Sequence, residues 1–184
     1  LVQCNFSQYS SRYDAFCAGD VQPAFDPACA GGALMDLGVY NVSYIVGLFG
    51  EPNQAKYTAN MERGIDTSGI LTMDYSGFKA VSIAAKDCAA PARYIIQGTK
   101  GYILQKSTAN CCGGITFHPN EGKEEHYNLN GGRPREAAEF ETFARAMESG
   151  DQELCTRMQD TSIAVSRVLT VARRSAGIRF PGER

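Results

Sequence analysis

Hydrophobic and polar positions along the chain recur with two periods, and the switch between them divides it into elements. LVQCNFSQ opens with Val2, Cys4 and Phe6 set against Gln3, Asn5 and Ser7, the period-2 pattern of a half-buried strand. The pattern returns further on. Ala55, Tyr57, Ala59 and Met61 oppose Gln54, Lys56, Thr58 and Asn60; Leu71, Met73 and Tyr75 oppose Ile70, Thr72 and Asp74; Val81, Ile83 and Ala85 oppose Ala80, Ser82 and Ala84. ARYIIQG and GYILQK bracket Gly98–Gly101, a spacing that predicts a hairpin turned through Thr99–Lys100. ITFHP and EHYNLN are weaker strand candidates.

Helical periods occupy the rest. GGALMDLGVYNVSYIVGLFGEP, from Gly31 to Pro52, carries apolar residues on so many helical positions that it predicts a helix buried almost all round. Gly31 and Gly32 open it, and Gly50 with Pro52 stops it. From Arg135, the positions Ala137, Phe140, Ala144 and Met147 form one stripe, ending near Ser149–Gly150. A second stripe from Asp151 runs through Leu154, Met158, Thr161, Val165, Val168 and Ala172, with Arg173–Arg174 suited to the C-terminal dipole. Both stripes are expected to be core packing. Tyr9 to Pro27 is polar with no lasting period and is expected to be a loop. Successive strands with short links predict an α+β fold: a mostly antiparallel, open-faced sheet with helices packed on one face. No internal repeat or linker interrupts the chain, so residues 1–184 are expected to form one domain.

Charge and composition narrow the function. The 184 residues carry a net charge of −2 and a pI near 5.7, no electrostatic footprint for nucleic acid or an anionic membrane. No apolar run is expected to reach the ~20 residues that cross a bilayer. Leu1 opens directly into strand-like sequence without a basic leader, and an opening at Leu rather than Met suits a piece of a longer chain. The seven cysteines, Cys4, Cys17, Cys29, Cys88, Cys111, Cys112 and Cys155, include no C-x-x-C and suggest no staple framework. Reduced thiols in a cytoplasmic protein are expected. Cys111–Cys112 with His118 and His126 match no zinc spacing, so no metal site is expected.

One polar residue stands out. Asp36 is the only charged residue between Asp26 and Glu51. A carboxylate in so apolar a helix is costly unless it is hydrogen-bonded, paired or open to a cleft. Tyr40, at i+4, puts a hydroxyl on the same helix face. Two readings stand side by side: an acid and a phenol forming a site, or a carboxylate near its helix start that binds free N–H groups. Arg12, in the polar segment, is a candidate for neutralising or hydrogen-bonding a polyol or acid substrate; taken alone, a solvated surface arginine is the commoner reading.

GGALMDLGVY, followed by LFGEP and closed by SAGIRFP, resembles the substrate-side domain of the Gfo/Idh/MocA oxidoreductases. The likeness spans nearly the whole chain. It implies that Asp36 and Tyr40 occupy the family's acidic and hydroxyl substrate-site positions, and Tyr40 rather than His points to the glucose–fructose oxidoreductase and dihydrodiol dehydrogenase side. It further implies NAD or NADP as cofactor, a sugar, polyol or dihydrodiol as substrate, a second subunit on the open sheet face, and a lysine in a Lys-Pro motif as main acid/base. This chain has no G-x-G-x-x-G between strand and helix, and none of its lysines precedes Pro. The expectation is a C-terminal domain without its Rossmann half, inactive alone, whose parent transfers hydride between nicotinamide and a carbinol or carbonyl carbon. Asp36 would orient substrate hydroxyls and Tyr40 would serve the reacting oxygen. A non-catalytic sugar-binding or dimerisation module on the same fold is the alternative.

Overall fold

In the computed structural model, which describes residues 1–183, each alternating segment is a strand. The strands are β1 (Val2–Ser7), β2 (Gln54–Glu62), β3 (Ile65–Tyr75), β4 (Phe78–Ala85), β5 (Arg93–Gly98), β6 (Gly101–Gln105), β7 (Ile115–Pro119) and β8 (Glu125–Tyr127). They form one open eight-stranded sheet in the order β2-β3-β4-β1-β5-β6-β7-β8. Every pairing is antiparallel except β1 with β4, which run parallel in register from Val2–Ala80 to Ser7–Ala85. The fold is α+β, with α1 (Tyr13–Cys17), α2 (Val39–Phe49), α3 (Ala137–Ser149) and α4 (Gln152–Ser175). β5 and β6 make the expected hairpin, with Gly98 opposite Gly101.

The alternation decides which side chains meet. Val2, Cys4, Leu71, Met73, Tyr57 and Tyr94 pack with Leu34, Val42, Ile45 and Val46 and with Val165, Val168, Leu169 and Ala172 in one core. A smaller cluster of Phe6, Ala33, Leu37 and Ala84 holds the start of the central helix to the ends of β1 and β4. Asn41, on the buried side of α2, donates to Ser82 Oγ and to the Ile83 carbonyl, and accepts from the Tyr94 hydroxyl at 2.5 Å. This polar lock sets the helix along the sheet.

Four expectations are corrected. The central helix is amphipathic rather than buried all round: Asp36, Tyr40, Ser43, Gly47 and Leu48 are exposed. Pro27–Phe49, 23 residues, does have the length and composition of a membrane-crossing helix; half of its most apolar window is buried, as a core helix's would be. The Tyr9–Pro27 segment is ordered, with α1 and two 3₁₀ turns at Pro23–Phe25 and Pro27–Cys29; Phe16 and Phe25 stack at 4.8 Å in a cluster with Ile65. The C-terminal stripes are buried only in part. In α3, Phe140 and Met147 are 70% and 78% exposed, and in α4 only the second half enters the core. Periodicity reports that a helix has an apolar face, not that a partner covers it.

Candidate functional site

The central helix begins with a wide π-helical turn, Leu34–Gly38, before α2. Such turns recur at functional sites. Gly31 and Gly32 let the chain enter it. A Cβ on Gly31 would lie 2.8 Å from the Ala24 backbone, and Gly32 has φ +106 with its Cβ position 2.0 Å from Asp66 Oδ1. Side chains are excluded at both places.

Asp66, on β3, is the carboxylate that answers the helix start. It accepts from Leu34 N–H at 2.7 Å and from the Tyr57 hydroxyl at 2.8 Å. Burial pushes the Asp66 carboxyl up, against the Leu34 N–H and Tyr57 bonds that favour its charged form. Burial, then the Asp66 charge, drives the Tyr57 phenol upward. The open choice over Asp36 is thereby narrowed, because the helix cap is Asp66.

Asp36 instead turns to Lys86, the residue following β4. Its Oδ2 lies 2.8 Å from Lys86 Nζ; the Asp36 side chain is 46% exposed and that of Lys86 1%. Lys86 also donates to the Ala24 carbonyl and places Nζ 4.1 Å from the centre of the Phe25 ring. Its ammonium therefore joins β4, the Pro23–Phe25 turn and the π turn. No sequence pattern marked Lys86, and its side-chain partners Asp36, Ala24 and Phe25 are 50 and more positions away.

Tyr40 is 39% exposed, one turn beyond Asp36, with its ring 5.7 Å from that of Phe6. Asp36 and Tyr40 thus share the exposed strip of the helix, while their side chains are held by different neighbours. Arg12 stands apart from this pair, exposed at the start of α1; the segment is anchored instead by its neighbour Tyr13, whose hydroxyl donates to Glu62 and whose ring packs on Phe16 and Phe25. The site lies where the parallel strands β1 and β4 end, since Gln8 N–H and Ser10 N–H continue along the Ala85 and Lys86 carbonyls.

A cavity of about 380 Å³ lies elsewhere, between Ala109–Cys112, Tyr127–Asn130 and Arg133–Ala138. Cys112 lines it, while Cys111 Sγ accepts from Arg135 at 3.4 Å. His118 faces Glu124 at 2.8 Å, and among the described residues no group of three His, Cys, Asp or Glu is placed to hold a metal. Nor do the residues fit a dinucleotide. Of the glycine pairs Gly31–Gly32, Gly113–Gly114 and Gly131–Gly132, only the first stands directly before a helix, and the Asp66 carboxylate already fills the anion position there.

Fold and site define a class: an α+β domain presenting an acid and a phenol on an exposed strip beside a buried ammonium. The chain belongs to the Gfo/Idh/MocA family, whose C-terminal-domain model matches residues 1–104. It is 31% identical over 180 residues to the scyllo-inositol 2-dehydrogenase (NADP(+)) IolU of Bacillus subtilis, covering 97% of this chain and 55% of that one. It is 31% identical over 163 residues to D-xylose 1-dehydrogenase (NADP(+)) 2 of Haloferax volcanii, covering 82% and 47%. The aldose-aldose oxidoreductase of Caulobacter crescentus shares its fold, with a TM-score of 0.70 at 17% identity over 96% of this chain and 52% of that one. The chain spans about half the length of the curated relatives it matches.

Proposed function

We propose that the chain is the substrate-side domain of a longer NAD(P)-dependent oxidoreductase acting on the carbinol or carbonyl carbon of a sugar, polyol or dihydrodiol. The observation that carries this reading is the placement of Asp36 and Tyr40 on the exposed strip of the central helix, in a chain similar to NADP-dependent polyol and aldose dehydrogenases. The nicotinamide, NAD or NADP, supplies the hydride chemistry and is held by residues outside this chain. Asp36 accepts hydrogen bonds from substrate hydroxyls and orients them. Tyr40, its ring supported by Phe6, hydrogen-bonds the reacting oxygen and hands its proton on; a lysine outside the chain is the main acid/base. Arg12 enters as a peripheral contact for the substrate, from the ordered segment above the site.

The test is steady-state kinetics on the full-length protein with both nicotinamides, using scyllo-inositol, D-xylose and a dihydrodiol as probes. Tyr40→Phe is expected to lower kcat/KM at least about tenfold, or ~1.4 kcal/mol of transition-state stabilisation. A change within about twofold removes Tyr40 from the chemistry. A non-catalytic sugar-binding module is the second reading; saturable sugar binding without turnover would select it.

We also propose that α2 and α4 cover one sheet face and that a second copy covers the other, giving a homodimer. Register places Ile70, Ile83, Val81, Ile95 and Leu104 together on that second face, among Thr72, Gln3 and Thr116. A central apolar band with a polar rim is what a subunit interface requires. The free thiols and modest net charge suit the cytoplasm, away from nucleic acid and membrane surfaces.

A further inference from the structure

Lys86 has the wrong surroundings for a merely structural residue. Burying an ammonium is costly, and an apolar side chain filling the same space would often be as stable or more so. Its contacts converge from two segments, the π turn and the Pro23–Phe25 turn: Asp36 Oδ2 at 2.8 Å, the Ala24 carbonyl, and the Phe25 ring face at 4.1 Å. The neighbouring Asp66 feels the same charge but bonds to Leu34 N–H and Tyr57 instead. Asp36 is the only carboxylate in ion-pair contact with Lys86 among the described residues. The ammonium is walled in, whereas its partner is half-exposed.

A carboxylate turns easily about its last torsion, so a free Asp36 would present its oxygens in many directions. Contact with a fixed, desolvated cation removes that freedom. We propose that Lys86 is a positioning residue: by holding Oδ2 inward it commits the other oxygen, Oδ1, to accept hydrogen bonds from substrate hydroxyls. The ligand class that matches is a neutral polyhydroxylated compound, a polyol or sugar, whose hydroxyl groups donate to an acceptor already oriented for them. Preorganisation of this kind lowers the ordering cost of binding, so its loss weakens recognition of the hydroxylated substrate more than that of the nicotinamide. The inference rests on the proposed dehydrogenase reading and adds to it a residue from outside the Asp36–Tyr40 strip.

The experiment compares Lys86→Met, Asp36→Asn and the double variant in the full-length protein, with scyllo-inositol and D-xylose as probes and thermal unfolding as the folding control. Lys86→Met is expected to raise KM for whichever probe the parent uses at least about tenfold while KM for the nicotinamide stays within about twofold. The double variant is expected to match Asp36→Asn alone, since both changes remove one unit. If Lys86→Met shows no cooperative transition, Lys86→Gln, which keeps a donor without the charge, is judged by the same readings. A folded Lys86 variant whose polyol KM stays within about twofold, or whose nicotinamide KM rises equally, overturns the positioning role, as do additive losses in the double variant. An unaltered protein that neither turns over nor binds any probe overturns the dehydrogenase reading and the positioning role together, whereas an active protein indifferent to Lys86 overturns only the latter.

Discussion

At the scale of single residues, the entry to the central helix depends on what is missing from two glycines. Gly32 combines φ +106 with a Cβ position against the Asp66 carboxylate, so Gly32→Ala must strain the backbone and displace the group that caps the helix. It is expected to destabilise the domain by at least about 2 kcal/mol, read from chemical denaturation midpoints at unchanged slope. Asn41 is a second such point. Replacing it with Leu strands the Tyr94 hydroxyl and leaves Ser82 and the Ile83 carbonyl without their partner. The expected loss is about 2–4 kcal/mol by the same measurement, since buried polar groups without partners bear their full desolvation cost. The string GG-x-L-x-D was legible as a motif; two of its reasons, Asp66 and Lys86, lie far away in sequence.

At the scale of elements, the two C-terminal helices differ in how they are held. α4 is tied down at its end: Arg173 is buried, lies over Phe180 at 4.2 Å and pairs with Glu183. The Arg173 guanidinium, ahead of the other influences, holds the Glu183 carboxyl down from 4.5 to about 2. A depressed carboxyl contributes stability that is complete above its unfolded value and disappears as pH falls through its folded one. Glu183→Gln is therefore expected to lower Tm at neutral pH, with the difference shrinking below 4.5 and vanishing near 2, as followed by circular dichroism. α3 is tied instead by a solvent-exposed pair, Arg133 with Glu141 at 2.8 Å, and Phe140, Phe143 and Met147 face outward. Its period was readable from the sequence. Its burial was not, because the same stripe serves a core or an uncovered surface equally well.

For the whole molecule, the mixed apolar face of the sheet carries the proposed assembly. Ile83 sits mid-face, opposite Ile70 on one side and Asn5 on the other. Ile83→Lys is expected to shift light-scattering mass from dimer to monomer while leaving the helix-side core intact, since alternate residues of a strand point to opposite faces. A dimer unchanged by that charge would place the interface elsewhere.

Local periodicity in the chain was sufficient to specify the first six strands, the three longer helices and the class of fold, and it offered β7 and β8 as weaker candidates, because each depends on near neighbours repeating at 2.0 or 3.6 residues. It also singled out Asp36 and Tyr40, since a charge in an apolar helix is conspicuous without any partner in view. Tertiary structure alone decided which carboxylate caps the helix, which lysine underlies Asp36, and that β1 lies parallel to β4. Each of those is a contact between segments tens of residues apart, selected by desolvation and close packing in three dimensions, and no spacing along the chain encodes it.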